Sequence, residues 1–276
     1  MALDQPPTPG SAGPSDPGLE GYGRYFASGS YDRRYPAPNP RTLAHVRRLL
    51  RDSGPGPIDV LDYGCGSGRY LVPLLVAEPR LRAIAADPCP EAMGRLRLRL
   101  QALGVADRVT LVTGTLDAVV PVLAASGSRP CLALALFGVL AHVGPAAERA
   151  RLLAGLCALL APAGGQLVLS VPNERRRFRR GERAAGVVDL TYRRRLADGT
   201  VVDLGYHLYR AGELADALGA AGFTDVRIAA ESLASESLVT RHPLIGRLDG
   251  LLARVLPADL GYGLLATARA AAGPGP

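Results

Sequence analysis

Alternating glycines follow an acidic residue in the stretch DYGCGSG, residues 62–68. The apolar run before it, residues 58–61, is typical of a buried parallel strand, and the apolar stretch 70–77 predicts a helix. Glycine has no Cβ, so the loop backbone can adopt unusual dihedral angles and a ligand can lie directly on the main chain. Because the loop precedes a helix N-terminus, it is suited to a nucleotide-like ligand.

The spacing of these glycines excludes two common nucleotide sites. A dinucleotide fingerprint has the pattern G-x-G-x-x-G, whereas here the third glycine comes one position earlier and Arg69 takes the sixth position. A P-loop needs lysine followed by serine or threonine, and the chain has no lysine. The glycine spacing therefore gives little support to a nucleotide-dependent oxidoreductase.

A second acidic residue ends the next predicted strand. The apolar run 81–86 stops at Asp87, which lies 25 residues beyond Asp62. The two strand ends should meet at one edge of a parallel sheet, where the Asp87 carboxylate can accept hydrogen bonds from both hydroxyls of a ribose. The alternative is a cap for the helix predicted at 90–103, but Pro88 intervenes, so the ribose role is favoured.

The pattern D-x-G-x-G-x-G resembles motif I of the class I S-adenosylmethionine-dependent methyltransferases. In that family the loop passes under the methionine part of the cofactor, and the acidic residue organises the loop and the sulfonium end. Thr115 stands where the family often has an aspartate for adenine, a departure that weakens this contact. The resemblance implies S-adenosylmethionine as cofactor and the following cofactor-binding residues: Asp62, Gly64, Cys65, Gly66, Gly68, Asp87, Pro88, Thr115, Leu116 and Phe137.

Composition narrows the class of protein. The net charge of +7 is carried by arginine alone, which binds phosphate and carboxylate well, but the alanine- and glycine-rich composition is equally typical of a GC-rich genome. The four cysteines have no metal-ligand spacing, so we expect reduced thiols and no metal site. No signal peptide and no uncharged run of roughly 18 apolar residues is evident. These features predict a cytoplasmic protein without a membrane partner.

Strands and helices alternate over most of the chain, which predicts an α/β fold. Residues 1–21 have the composition of a disordered tail, and 22–276 are expected to form the methyltransferase domain. The family resemblance implies a doubly wound, Rossmann-like, seven-stranded sheet that is mostly parallel, with an antiparallel last strand and order 3-2-1-4-5-7-6. Two segments interrupt this pattern: an insertion at 174–205 after strand five, placed to cover the substrate, and a second excursion at 232–258.

Several segments are candidates for the acceptor side. Aromatic residues at 25–35 form either a substrate cover or a surface arm. The arginine-rich insertion contains a hairpin signal, Asp198-Gly199 between alternating apolar runs. His142, after strand four, either touches the cofactor or caps a helix.

The stretch YHLYRAGEL, residues 206–214, is similar to the tRNA wobble-uridine carboxymethyl methyltransferases over about a dozen positions. The predicted catalytic residues are His207 as a general base, with Tyr206 and Tyr209. The alternative is a plain strand in which His207 is hydrogen-bonded and silent.

Together these features predict SN2 transfer of a methyl group to an oxygen or carboxylate of a small molecule. Two alternatives stay open, a tRNA methyltransferase and a non-catalytic S-adenosylmethionine-binding module. RNA is a possible partner, and the sequence does not indicate the oligomeric state.

Overall fold

The computed structural model describes residues 17–177, 188–196 and 198–271. Its strands are β1 (Ile58–Tyr63), β2 (Leu81–Asp87), β3 (Val109–Thr113), β4 (Leu132–Ala135), β5 (Gln166–Pro172), β6 (Asp189–Arg195), β7 (Val201–His207), β8 (Phe223–Ser232) and β9 (Gly263–Ala270). Its α-helices are α1 (Pro17–Ala27), α2 (Ser30–Arg34), α3 (Pro40–Asp52), α4 (Leu71–Ala77), α5 (Pro90–Ala102), α6 (Leu116–Ser126), α7 (Val139–His142), α8 (Ala146–Leu160), α9 (Ala211–Ala220), α10 (Glu236–Arg241) and α11 (Pro243–Val255).

Seven strands form the central sheet in the order β3-β2-β1-β4-β5-β9-β8. Strands β1 to β5 are parallel, and β9 is antiparallel to both of its neighbours. With β8 as the sixth strand and β9 as the seventh, the predicted order 3-2-1-4-5-7-6 is confirmed. The carboxyl ends of β1, β2, β4 and β5 therefore share one edge, where a doubly wound sheet binds its ligand.

Helices cover both faces of this sheet, which explains why the central strands are nearly continuous apolar runs. All four residues of β4 are buried. One buried cluster joins the sheet to α6, α8 and α9, and a second joins the opposite face to α3, α4 and α5. The two clusters pack the strands between helices on both faces, so the loops at the carboxyl edge begin at buried strand ends.

The insertion after β5 contains a separate two-stranded sheet. Strands β6 and β7 pair antiparallel from Asp189 opposite His207 to Arg195 opposite Val201. The turn includes Asp198, whose side chain accepts a hydrogen bond from the Thr200 N–H at 2.9 Å. The predicted hairpin is confirmed, and β7 runs two residues past the predicted end of the insertion at 205. Residues 178–187, in the arginine-rich part, lie outside the described residues.

The N-terminal boundary of the fold differs from the prediction, because helix α1 begins before residue 21. It begins at Pro17, so the prediction of a disordered tail to residue 21 is wrong for residues 17–21, and residues 1–16 lie outside the described part. The helix forms because apolar side chains recur on one face, and it packs on β7, where a Cβ at Gly21 would lie 3.1 Å from the Asp203 carbonyl oxygen. This contact places α1 over the hairpin.

The second excursion is helical. Helices α10 and α11 pack on each other, and α11 also packs on α3 and on β8. Within the described residues, no helix is both long and apolar enough to span a bilayer. The cytoplasmic location stays a prediction.

Candidate active site

The three glycines of the loop after β1 all have positive φ angles, +70° for Gly64, +54° for Gly66 and +81° for Gly68. A Cβ at Gly64 would lie 2.4 Å from Val139 Cγ2, and one at Gly68 would lie 2.4 Å from Leu96 Cδ1. Both the backbone conformation and the packing therefore demand glycine here. The loop is tied to the next strand because Gly64 N–H donates to the Ala86 carbonyl at 2.7 Å.

Aromatic residues from α1 and α2 lie over this loop. A Cβ at Gly66 would come within 3.2 Å of Phe26 Cζ. The rings of Phe26 and Tyr31 are 4.4 Å apart, and the ring of Tyr35 is 4.7 Å from that of Phe137 at the end of β4. Tyr25 and Phe26 are buried. The aromatic segment is thus buried over the glycine loop and is not an exposed arm, whereas its role as a substrate cover stays a prediction.

Asp87 holds the loop from the neighbouring strand. Its two carboxylate oxygens accept the Gly66 N–H at 2.8 Å and the Cys89 N–H at 2.9 Å. Burial raises the pKa of Asp87, and the two N–H donors oppose that rise. Each carboxylate oxygen has two acceptor sites, so Asp87 can hold the loop and still accept hydrogen bonds from a ligand.

A single cavity runs along the carboxyl edge of the sheet, under α1 and the hairpin. It has an empty volume of about 1300 Å³, counting the part open to solvent. The predicted cofactor residues on its wall are Gly64, Gly66, Asp87, Pro88 and Phe137. The predicted cofactor residues that do not line it are Asp62, Cys65, Gly68, Thr115 and Leu116.

The second group has structural reasons to lie outside the cavity. Asp62 is buried, and burial together with nearby Asp87 raises its pKa to about 7. Cys65 faces the core, with its Sγ 3.6 Å from Met93 Sδ. Leu116 packs toward α8, because a Cβ at Gly155 would lie 2.4 Å from its Cδ2. Direct contact with a ligand in this cavity is not supported for these side chains.

The three predicted catalytic residues do not lie together in the cavity. Tyr206 lines the cavity, and its hydroxyl accepts a hydrogen bond from Arg177 Nη2 at 2.9 Å. His207 is buried on the opposite face of β7, where its Nδ1 is 2.7 Å from Asp189 Oδ1 and its Nε2 is 2.9 Å from Glu213 Oε1. Tyr209 is buried in the core beside it. With both ring nitrogens occupied, His207 has the geometry of a structural histidine, which argues against a general base.

His142, the other candidate histidine, lies in the cavity wall. Its Nδ1 is 2.8 Å from the Gly205 carbonyl oxygen, which can only accept, so Nδ1 carries the proton. Its Nε2 is then an acceptor and lies 2.6 Å from the Tyr22 hydroxyl. Burial, with Arg177 and Arg194 nearby, lowers the pKa of His142 to about 4. The imidazole is therefore neutral near pH 7, with one acceptor nitrogen in the cavity.

Two glutamates close the other side of the cavity, and no sequence motif marked them. Glu236 pairs with Arg69 at 2.7 Å and accepts from Asn39 Nδ2 at 3.0 Å. Glu231 accepts from the Thr42 hydroxyl at 2.9 Å. Burial first, and the charge of Glu236 second, raise the pKa of Glu231. Among the described residues, no group of three or more side chains is placed to hold a metal ion.

The sheet order, the glycine loop after β1 and the carboxylate after β2 define a class I S-adenosylmethionine-dependent methyltransferase. The chain matches the family described as a methyltransferase domain over residues 31–228, and it belongs to that family. It is therefore an enzyme with S-adenosylmethionine as cofactor. The residues present fit this cofactor, because positive-φ glycines and a buried carboxylate meet on one cavity wall.

Similar proteins agree with this assignment. A release factor glutamine methyltransferase from Enterococcus faecalis is 39% identical over 67 residues, which are 24% of this chain and 24% of that protein. A methyltransferase structure from Clostridium acetobutylicum superposes with a TM-score of 0.64 at 10% identity, covering 91% of this chain and 99% of that one. Magnesium protoporphyrin IX methyltransferase from Synechocystis gives 0.56 at 16% identity, covering 94% and 99%. These structural likenesses show the fold.

Proposed function

We propose that this enzyme transfers the methyl group of S-adenosylmethionine to an oxygen of a small molecule, either a hydroxyl or a carboxylate. The observation that carries the proposal is the cavity itself. Its glycine wall, at Gly64, Gly66 and Asp87, continues without a break into an aromatic compartment lined by Tyr22, Tyr206 and Tyr262. A cofactor and an acceptor can thus share one cavity.

The cover favours a small acceptor over a polymer. Helix α1 lies over part of the cavity, and there the Tyr22 hydroxyl donates a hydrogen bond to His142 Nε2. The aromatic rings on this cover pack tightly on one another, with Tyr25 and Tyr31 5.6 Å apart. An RNA strand would have to displace this helix, whereas a compound of cofactor size would not. The structurally similar magnesium protoporphyrin IX methyltransferase is named for a small-molecule acceptor.

Charged and polar side chains in the aromatic compartment suit an oxygen acceptor. The Arg177 guanidinium lies 5.2 Å from the ring centre of Tyr206 and 4.6 Å from that of Tyr262. Its positive charge can hold an acceptor carboxylate or a developing alkoxide. Arg177 and Tyr206 would therefore orient the acceptor, as positioning groups rather than as proton carriers.

Proton transfer would fall to His142 when the acceptor is a hydroxyl. Bound S-adenosylmethionine supplies an already activated methyl group, so the protein mainly needs to align the acceptor and exclude water. The neutral Nε2 of His142 can take the acceptor proton after Tyr22 gives up its hydrogen bond. A carboxylate acceptor has no proton to lose, and Arg177 alone would then suffice.

The tRNA alternative has little support in the geometry. Its local resemblance centred on Tyr206 and His207, and His207 lies outside the cavity with two carboxylate partners. Residues 202, 204 and 206 of β7 face α1 and the cavity, so His207 is turned to the opposite face, as in the plain-strand alternative.

The test is a methyl-transfer assay with isotopically labelled S-adenosylmethionine, offered separately to a metabolite extract and to a bulk RNA pool. We expect label in small molecules, with little dependence on salt. Label in RNA, with activity falling steeply as salt rises because counterions are released on binding, would contradict the proposed acceptor class. Label in neither pool, with cofactor binding intact, would contradict the proposal as well.

A further inference from the structure

Helix α11 has an inner and an outer face that differ in composition and burial. Its inner face consists of small or buried residues, Gly246, Asp249, Gly250 and Ala253. A Cβ at Gly246 would lie 2.4 Å from the Val239 carbonyl oxygen, and one at Gly250 would lie 3.4 Å from Arg41 Cβ. Asp249 accepts the N–H groups of Leu233 and Ala234. This face fixes the helix tightly to the body of the protein.

The outer face of α11 carries large side chains that the described residues leave uncovered. Leu244 is 73% exposed, Leu248 63% and Val255 79%. The exposed set, with its neighbours, is Leu238, Leu244, Ile245, Leu248, Leu251, Leu252, Val255, Leu256 and Leu260. Each of these nine residues is more than a third exposed. A monomer rarely exposes an apolar patch of this size without using it.

The spacing of the central row points to a helix as the partner. Leu244, Leu248, Leu251 and Val255 follow a 4-3-4 spacing, which is the seam of two packed helices. This spacing reads the same from either end, so an antiparallel copy would place Leu244 on Val255 and Leu248 on Leu251. A two-fold symmetric pair requires such self-complementarity.

We propose that this face, the α11 surface, is the interface of a homodimer in which the two α11 helices pack antiparallel about a two-fold axis. The chain's own remaining segments are poor candidates to cover it. Residues 1–16 and 272–276 are mostly proline, glycine, serine and alanine, and 178–187 are mostly charged or small. A second copy supplies the missing apolar area in one step.

Charge gives this dimer a distinctive salt dependence. Arg247 and Arg254 are seven residues apart and so share one flank of α11. In an antiparallel two-fold pair the arginine flanks of both copies lie on the same side. Salt screens this repulsion, so dimerisation should strengthen as salt rises. The alternative partner for this patch is an anionic lipid surface, which combines an apolar interior with negative charge. Its binding should weaken as salt rises.

The test is sedimentation velocity of the full chain at micromolar concentration and at two salt concentrations. We expect a species of twice the 28.8 kDa chain mass, more populated at high salt. The double variant Leu248→Asp with Leu251→Asp should be monomeric, with the dissociation constant raised at least 100-fold. Leu98→Asp is the matched control, since Leu98 is 67% exposed on α5, and it should remain dimeric. Thermal unfolding and cofactor titration check that each variant is folded.

Several outcomes would overturn the proposal. A wild-type chain that stays monomeric at both salt concentrations would do so, and so would a double variant that still dimerises. Co-sedimentation of wild type with phosphatidylglycerol vesicles, weakened by salt and lost in the double variant while both proteins are monomers, would assign the patch to a lipid surface instead. None of these results depends on the acceptor that the enzyme methylates.

Discussion

The two ends of the cavity are built in different ways. The end proposed to bind the cofactor, the cofactor end, comes from two short segments, 64–68 and 87–89, whose shape is set by backbone N–H groups and positive-φ glycines. The end proposed to bind the acceptor, the acceptor end, is assembled from side chains of α1, α7, β7, α10 and the segment after β5. One end is thus a local backbone structure that suits one constant ligand, whereas the other is a set of replaceable side chains. The difference suggests that specificity resides at the second end.

The largest expected effect is at the cofactor end. Gly64→Ala introduces both a left-handed alanine and a Cβ 2.4 Å from Val139 Cγ2. The clash adds about 1–3 kcal/mol to roughly 1–2 kcal/mol for the backbone conformation. We expect lost cofactor binding by calorimetry and a clear loss of stability by chemical denaturation.

Gly54→Ala is the matched control for Gly64→Ala. Its φ is +82°, but its Cβ would have no atom within 4 Å, so it carries the conformational cost alone. Equal destabilisation by the two variants would show that the loop tolerates a side chain, and the distinction between the two ends would fail.

His142 at the acceptor end and His207 outside the cavity should respond oppositely to substitution. With a hydroxyl acceptor, His142→Ala should lower kcat by roughly 100-fold or more and leave cofactor affinity unchanged, because a proton acceptor is lost. His207→Ala should keep its turnover and instead lower stability by about 1–3 kcal/mol, since two carboxylates lose their partner. Steady-state kinetics and thermal unfolding of both variants show which histidine accepts the proton and which one is structural. Reversed results would restore His207 as the base.

Arg177→Met should affect the acceptor more than the cofactor. Loss of a charged hydrogen-bond donor costs about 1.5–3 kcal/mol, which should raise the KM for an anionic acceptor by roughly tenfold or more. The affinity for S-adenosylmethionine should stay the same. Arg176→Met, at an exposed neighbouring position, serves as the control. If both variants raise KM equally, the effect is a general field and not a contact in the cavity.

The last expected effect depends on pH and concerns Asp62 under the glycine loop. Burial and Asp87 raise its pKa from 3.8 to about 7, so the folded chain keeps a proton that the unfolded chain releases. Its contribution to stability is complete below about pH 4 and is lost as the pH rises through about 7. Asp62→Asn should therefore gain stability relative to wild type as the pH rises from 4 to 8. The measurement is denaturant unfolding of wild type, Asp62→Asn and the control Asp59→Asn, on the same strand, across this pH range. If the free energy of unfolding of Asp62→Asn changes with pH as that of wild type does, the prediction is wrong.

The sequence predicted the glycine loop after β1 and the position of Asp87 at the end of β2 because the requirements of each are local. The sheet order followed from the family that these residues resemble. Which of them bind the cofactor stays a prediction. Asp62 and Leu116 lie next to the loops at this edge of the sheet, but their side chains do not reach the cavity. Tyr206, His207 and Tyr209 were predicted together as catalytic residues, but alternation along β7 turns Tyr206 and His207 to opposite faces. Which face meets the cavity depends on how the hairpin packs on α1, which no local pattern shows. Glu231 and Glu236 reach the cavity through tertiary packing, which leaves no local pattern.

The most direct test of the account is a crystal structure with S-adenosylhomocysteine bound. It should place the ribose hydroxyls at the Asp87 carboxylate and the sulfur toward the compartment formed by Tyr22, His142 and Tyr206. A methyl group on that sulfur would then point at the acceptor end. If the sulfur instead faces Glu231 and Glu236, with the homocysteine chain filling the compartment beside His142, the division of the cavity into these two ends is contradicted.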